Sequence, residues 1–200
     1  VLYIATELGA FEKGDKLQGI RKELTAVELT RLMGNGINLG NTMEAYGHAS
    51  LGTNAAVSSY ETLWGQPVTT QEMITAMKKS GFDTIRIPVA WTNTMNFESG
   101  DYTIREDWFA RIEEIVGYAM NENMYVIVND HWDGSWWGMF GSATAKTRQK
   151  AMDMYISMWT QIAERFKNYS DYLIFESANE ELGDRLNDQD IAKDSGTLST

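Results

Sequence analysis

In the segment LIFESANEEL, Leu173 to Leu182, two acids, Glu176 and Glu180, stand four residues apart behind an apolar run. Paired carboxyl groups are the equipment of general acid–base and nucleophilic attack at a glycosidic bond. They stand about 5–5.5 Å apart for retention and about 6.5–9.5 Å apart for inversion. Along a regular strand Glu176, Ala178 and Glu180 share one face, and Phe175, Ser177 and Asn179 take the other. Four residues of strand span roughly 13 Å, too far for either mechanism. Glu176 therefore reads as an interior carboxylate that an inward arginine such as Arg86 can pair with. Glu181 points away from Glu180, so a catalytic companion for Glu180 has to come from another element. Taken alone, Glu180 is an ordinary solvated acid at the start of a loop.

Other chemistries are excluded or left open by composition. There is no cysteine, so neither a disulfide framework nor thiolate catalysis is available. The two histidines, His48 and His131, lack metal-ligand spacing, so no zinc site and no cofactor is expected. A formal net charge of -11 opposes nucleic acid and anionic membranes as partners and leaves neutral substrates open. No apolar run reaches membrane-spanning length. Seven tryptophans and nine tyrosines serve either as core packing or as flat platforms for a ligand.

The elements that would position these groups follow from periodicity and punctuation. Residues 1–24 read as an N-terminal extension, with VLYIA as a short strand and no signal-like segment, as in a processed protein. Thr25 and Glu28 predict a capping box for the helix AVELTRLM, which ends at Gly34. GINLGN is a short strand leading into a Gly-, Ser- and Asn-containing loop. Thr69 and Glu72 predict a second capping box, for the helix QEMITAMKKS ending at Gly81. FDTIRIPVAW, MYVIVNDHW and LIFESANE are strands. Between them Trp108, Phe109, Ile112, Ile115, Val116 and Ala119 recur at helical spacing, and Met152, Tyr155, Trp159, Ile162 and Phe166 form a second stripe. The tail LNDQDIAKDSGTLST is polar and carries no predicted element. The later strands are near-continuous apolar runs, as parallel strands covered on both faces are, so the chain is α/β with repeated βα units, doubly wound or barrel. No phosphate-cradling glycine loop follows a strand. Asn38 and Asn41, Arg86, His131, then Asn179 and Glu180 gather at successive strand ends, which points to a shared active face as in a TIM barrel.

ANE at the last strand end, with RIPV, NDHW and GINLGNT on the earlier ones, resembles glycoside hydrolase family five, in its endo-β-1,4-glucanase branch of cellulases, licheninases and xyloglucanases. The similarity runs in order from about Thr25 to Leu182, and it is nearly continuous over DYTIREDWFARIEEIVGYAMNENMYVIVNDHWDG. It implies a (β/α)8 barrel of which residues 25–200 hold the first four βα units, and hydrolysis with retention by two glutamates. On that resemblance Glu180 is the acid/base, Asn179 holds the 2-hydroxyl of the sugar, Arg86 positions the nucleophile, and His131 lies near the same sugar. A structural His131 is the competing assignment. Trp91, Trp132, Trp136 and Trp137 are candidate sugar platforms or packing, and Asn41 faces the next sugar. The chain departs from the family at Glu181, where a proline is common, and at Trp132, where many relatives have a second histidine. Relatives often differ at Met43 and Glu44 as well.

The same resemblance puts the nucleophile on the seventh strand. The expected partners are therefore a β-glucan and the C-terminal half of the same enzyme as a second chain, and secretion is implied because a polymer cannot enter a cell. Mannanase or xylanase activity on the same frame, and a non-catalytic half-barrel that binds glucan on its tryptophans, stay open beside the glucanase.

Overall fold

The computed structural model describes residues 23–131, 133 and 136–179. Four parallel strands form one sheet in the order β1 (Gly36–Asn38), β2 (Thr84–Ile87), β3 (Tyr125–Asn129) and β4 (Leu173–Glu176). Spatial order equals chain order, which makes this a run of consecutive βα units as in a (β/α)8 barrel rather than a doubly wound sheet. The VLYIA strand and the tail beyond Asn179 lie outside the described residues.

Two of the helices begin where a side chain satisfies an amide of the first turn. In α1 (Ala26–Leu32) the Thr25 hydroxyl accepts from the Glu28 amide at 3.2 Å, and the Glu28 carboxylate accepts from the Thr25 amide at 2.9 Å, the reciprocal box that the spacing predicts. The segment after β1 carries two short helices, α2 (His48–Leu51) and α3 (Val57–Glu61). The next helix, α4 (Gln71–Lys79), is capped by Thr70 and not by Thr69. Thr69 is buried, its amide donates to Glu61 Oε1 at 2.8 Å, and its carbonyl accepts from Arg111 Nη2 at 2.7 Å. The ion pair thus takes up its backbone and leaves the cap to its neighbour.

Two longer helices complete the crossovers, α5 (Glu106–Asn121) and α6 (Ala145–Phe166). All six predicted apolar positions of α5 are buried. The α6 stripe is different: Ala151, Met154, Met158, Ile162 and Phe166 are buried, whereas Met152 is 42% exposed. Tyr155 and Trp159 pack on the flank, where Trp159 meets Phe175 edge-on at 6.1 Å. Their aromatic bulk suggests a core-facing position, but the thinner methionine and alanine side chains let the helix approach the sheet.

Register separates two faces. Ile37, Ile85, Val126 and Leu173 are paired in sequence across the sheet, and Ile85, Ile87, Val126 and Val128 are fully buried in the helix-facing core. The opposite face carries Asn38, Arg86, Ile127 and Ile174 in one row and Asn129 beside Glu176 in the next. This face is only partly covered among the described residues, so the two-sided burial expected of these strands is met on one side alone. The strands are shorter than their apolar runs; Pro88, which has no amide hydrogen, follows the last paired residue of β2.

The long segment after β1 is tied to the helix layer by Arg111, which donates to Glu61 through Nε at 3.0 Å and Nη2 at 2.8 Å. Glu61 is 1% exposed, so removing its partner strands a charge in the interior. Arg111→Ala is expected to cost about 3–5 kcal/mol in equilibrium urea denaturation. A loss below about 1 kcal/mol would show that water reaches the carboxylate.

Candidate active site

Arg86 stands at the centre of the inner face. From β2 its side chain crosses β3 and meets β4, donating from Nε to Glu176 Oε2 at 2.7 Å and from Nη2 to Glu176 Oε1 at 2.8 Å. The pairing expected for Glu176 is thus present, with both guanidinium contacts in the parallel fork geometry that suits a carboxylate. The same Nη2 donates to Asn179 Oδ1 at 2.8 Å. Strand alternation would have sent Asn179 to the opposite face from Glu176. Pairing ends at Glu176, however, and beyond it the chain turns enough for Asn179 to rejoin the inner side. The regular strand on which the spacing of roughly 13 Å rests ends at Glu176. Glu180 and Trp132 lie outside the described residues.

The Arg86 contact holds the Glu176 carboxyl below the usual glutamate range, against the opposing effect of burial, with smaller contributions from Asn129 and His131. Glu44 behaves oppositely. It is buried in the segment after β1, and burial pushes its carboxyl up although three backbone hydrogen bonds and Arg86 pull it down. Its oxygens accept from the amides of Asn41 and Thr42, the latter at 2.9 Å, and so brace Asn41 in a left-handed conformation at φ 62°. The sequence reading assigns Glu44 no role. The usable signal is an acid three residues beyond Asn41, a spacing from which a carboxylate reaches back to free amides, as it does in a capping box.

His131 follows β3, with its amide donating to Val89 O at 2.9 Å and its Nδ1 3.2 Å from Asn129 Nδ2. An amide nitrogen can only donate, so Nδ1 is the acceptor in this contact. His131 is half-buried beside the Arg86–Glu176 pair.

The tryptophans divide. Trp91 is fully buried; its indole donates to Asn129 O at 2.9 Å and its ring packs on Phe109. Trp136 is 1% exposed and stacks on Trp137 at 4.6 Å. Both were candidate platforms, and both are packing residues here because each ring is enclosed by the chain's own side chains. Trp137 is half-buried and donates to Asp130 Oδ2 at 2.8 Å. Asp133, whose carboxyl is pushed up by burial, accepts from the Thr92 amide at 2.9 Å and hydroxyl at 2.5 Å. Among the described residues no cluster of three or more histidines and acids could hold a metal ion.

Because the Glu176 carboxyl lies lower in the folded than in the unfolded chain, its contribution to stability is full above the ordinary glutamate range. That contribution is lost as pH falls through the lowered folded value. Thermal melts of Glu176→Gln are therefore expected to fall least short of the parent in acid and most near neutrality. An equal difference at every pH would contradict the ion pair.

Comparison with known proteins places this geometry. The family model described as cellulase (glycosyl hydrolase family 5) matches residues 46–193. Endoglucanase A of Clostridium longisporum is 41% identical over 160 residues, covering 78% of this chain and 29% of that protein. A xyloglucan-specific endo-beta-1,4-glucanase of Bacteroides ovatus is 35% identical over 166 residues, covering 83% of this chain and 32% of that protein. Among solved structures, a broad-specificity endoglucanase from Ruminococcus champanellensis with bound cellotriose superposes with a TM-score of 0.72 at 32% identity, covering 88% of this chain and 51% of that one. The chain thus spans about a third of the curated relatives and half of the solved enzyme.

Proposed function

This chain belongs to glycosyl hydrolase family 5, and from that premise we propose that it forms the N-terminal half of a (β/α)8 endo-β-1,4-glucanase acting with retention. The observation that carries the proposal is the meeting of Arg86, Glu176 and Asn179 at the C-terminal ends of parallel strands, where barrel enzymes do their chemistry. Glu180 directly follows Asn179. In this reading it protonates the leaving glycosidic oxygen and then activates water for the second step. Its pKa must rise for that work, through enclosure and through the negative charge of a facing nucleophile.

The nucleophile comes from the remaining strands of the barrel, whether in a longer protein or in a second chain. Those strands also pair the edges of β1 and β4 that are unpaired among the described residues, and cover the inner face. Among the described residues Arg86 spends Nε and Nη2 on Glu176 and Asn179, which leaves Nη1 for the nucleophile's carboxylate. Asn179 holds the 2-hydroxyl of the sugar at the cleavage site. His131 lies beside the same sugar, and Asn41, braced by Glu44, faces the next one. Of the tryptophans, Trp137 keeps part of its surface open as a platform, and Trp132 is the other candidate. The net charge of -11 is compatible with an uncharged polysaccharide. Cellotriose in one solved relative and xyloglucan in the name of another support a β-1,4-glucan backbone as substrate. Secretion follows from the size of that polymer. Binding without catalysis has less support, since Trp91 and Trp136 are spent on packing.

In the complete enzyme, Glu180→Gln is expected to lower hydrolysis of a soluble β-glucan by about 10²–10⁴-fold in a reducing-end assay. Retained activity would remove Glu180 from its role. An intact-mass measurement on an active preparation should find a longer chain or a second polypeptide; activity from these 200 residues alone would overturn the half-barrel reading.

A further inference from the structure

We infer that Glu176 is a positioning residue of this site: by gripping two nitrogens of Arg86, it fixes which way the Asn179 amide faces and so presents the amide nitrogen to substrate. This rests on the function proposed above. The argument begins with donor chemistry. A guanidinium has no acceptor, so the Asn179 atom that faces Arg86 Nη2 at 2.8 Å has to be the carbonyl oxygen. The NH2 group then points away from Arg86 with two protons to donate, and a sugar hydroxyl is a suitable acceptor. An asparagine turned the other way would present its oxygen to the sugar and its NH2 to a cation.

Nothing in the backbone ladder enforces that choice, because pairing stops at Glu176, three residues earlier. The orientation depends on Arg86 holding still. Its side chain reaches across β3, roughly 10 Å from strand to strand, on a flexible stem. The double contact to Glu176 at 2.7 and 2.8 Å sets both the position and the plane of the fork. Among the described residues no other contact fixes Arg86 in this way. Glu44, from the segment after β1, acts on it only as a charge while its oxygens hold the amides of Asn41 and Thr42. From β3, Asn129 and His131 contact each other and contribute at Glu176. Glu176 is thus the group that converts a long cation into a fixed template.

The test is a cycle between residue and substrate in the complete enzyme, using an aryl β-cellobioside and its analogue lacking the 2-hydroxyl on the sugar at the cleaved bond. Glu176→Gln is expected to lower kcat/KM on the parent compound by about 100-fold, the effect of a small misplacement in a site. On the deoxy analogue the same substitution is expected to change it little, because the hydroxyl that Asn179 holds is already gone. Equal losses on both compounds would overturn the inference, since a merely structural role does not depend on one hydroxyl. Should Glu176→Gln fail to fold, Glu176→Asp keeps the charge but cannot span the fork; the same coupling is expected and the same equality overturns it. Absence of hydrolysis by the unaltered enzyme would count against the proposed function alone. The cycle is then read from the affinities for cellobiose and 2-deoxycellobiose by calorimetry, where coupling supports the positioning role and additivity overturns it.

Discussion

A guanidinium on the inner face of a parallel sheet needs a counter-charge held in matching geometry, and in this chain that need is met by Glu176 from two strands away. The pair is partly screened from water, with side-chain exposures of 18% and 35%, and at Glu176 the arginine contact outweighs the effect of burial. From it follow the inward turn of Asn179, the depressed Glu176 carboxyl and the place of His131 beside the same cluster. Without that contact the inner face would be an apolar sheet with scattered polar ends. With it, three strands share one electrostatic frame.

A second set of buried acids holds the loops that rise above the sheet. Glu61 takes two nitrogens of Arg111 and the amide of Thr69, tying the segment after β1 to α5. Asp133 collects the amide and hydroxyl of Thr92, joining the segments after β2 and β3. Glu44 closes its own loop on Asn41 and Thr42. Each acid is almost wholly buried and spends its oxygens on backbone amides, a hydroxyl or a fixed cation, which offsets part of the cost of lost hydration. Loops anchored in this way can carry polar side chains to the strand ends without an extensive apolar core of their own.

Apolar periodicity is enough to locate the βα units and the shared strand-end face, and the α5 stripe is buried position for position. The errors have local causes. Thr69 and Thr70 are both capable caps, and a buried ion pair remote in sequence decides between them. Tyr155 and Trp159 draw the α6 stripe to one flank because bulk suggests burial, whereas close approach to the sheet favours Met154 and Met158. Trp91 and Trp136 are aromatic near a strand end whether they face ligand or core, and residue type cannot separate the two.

What the amino-acid order determined by itself is what depends on neighbours a few residues apart: helix starts, strand existence, the alternation that turns Glu176 inward, and the family's ordered motifs. Tertiary structure alone decided that Asn179 joins Arg86, some 90 residues away, on the face that alternation denies it, and that two tryptophans are enclosed by protein. The reason is physical. Periodicity constrains which side of an element a residue occupies, but hydrogen-bond partners are set by strand register and by where pairing stops, and both are properties of the assembled sheet.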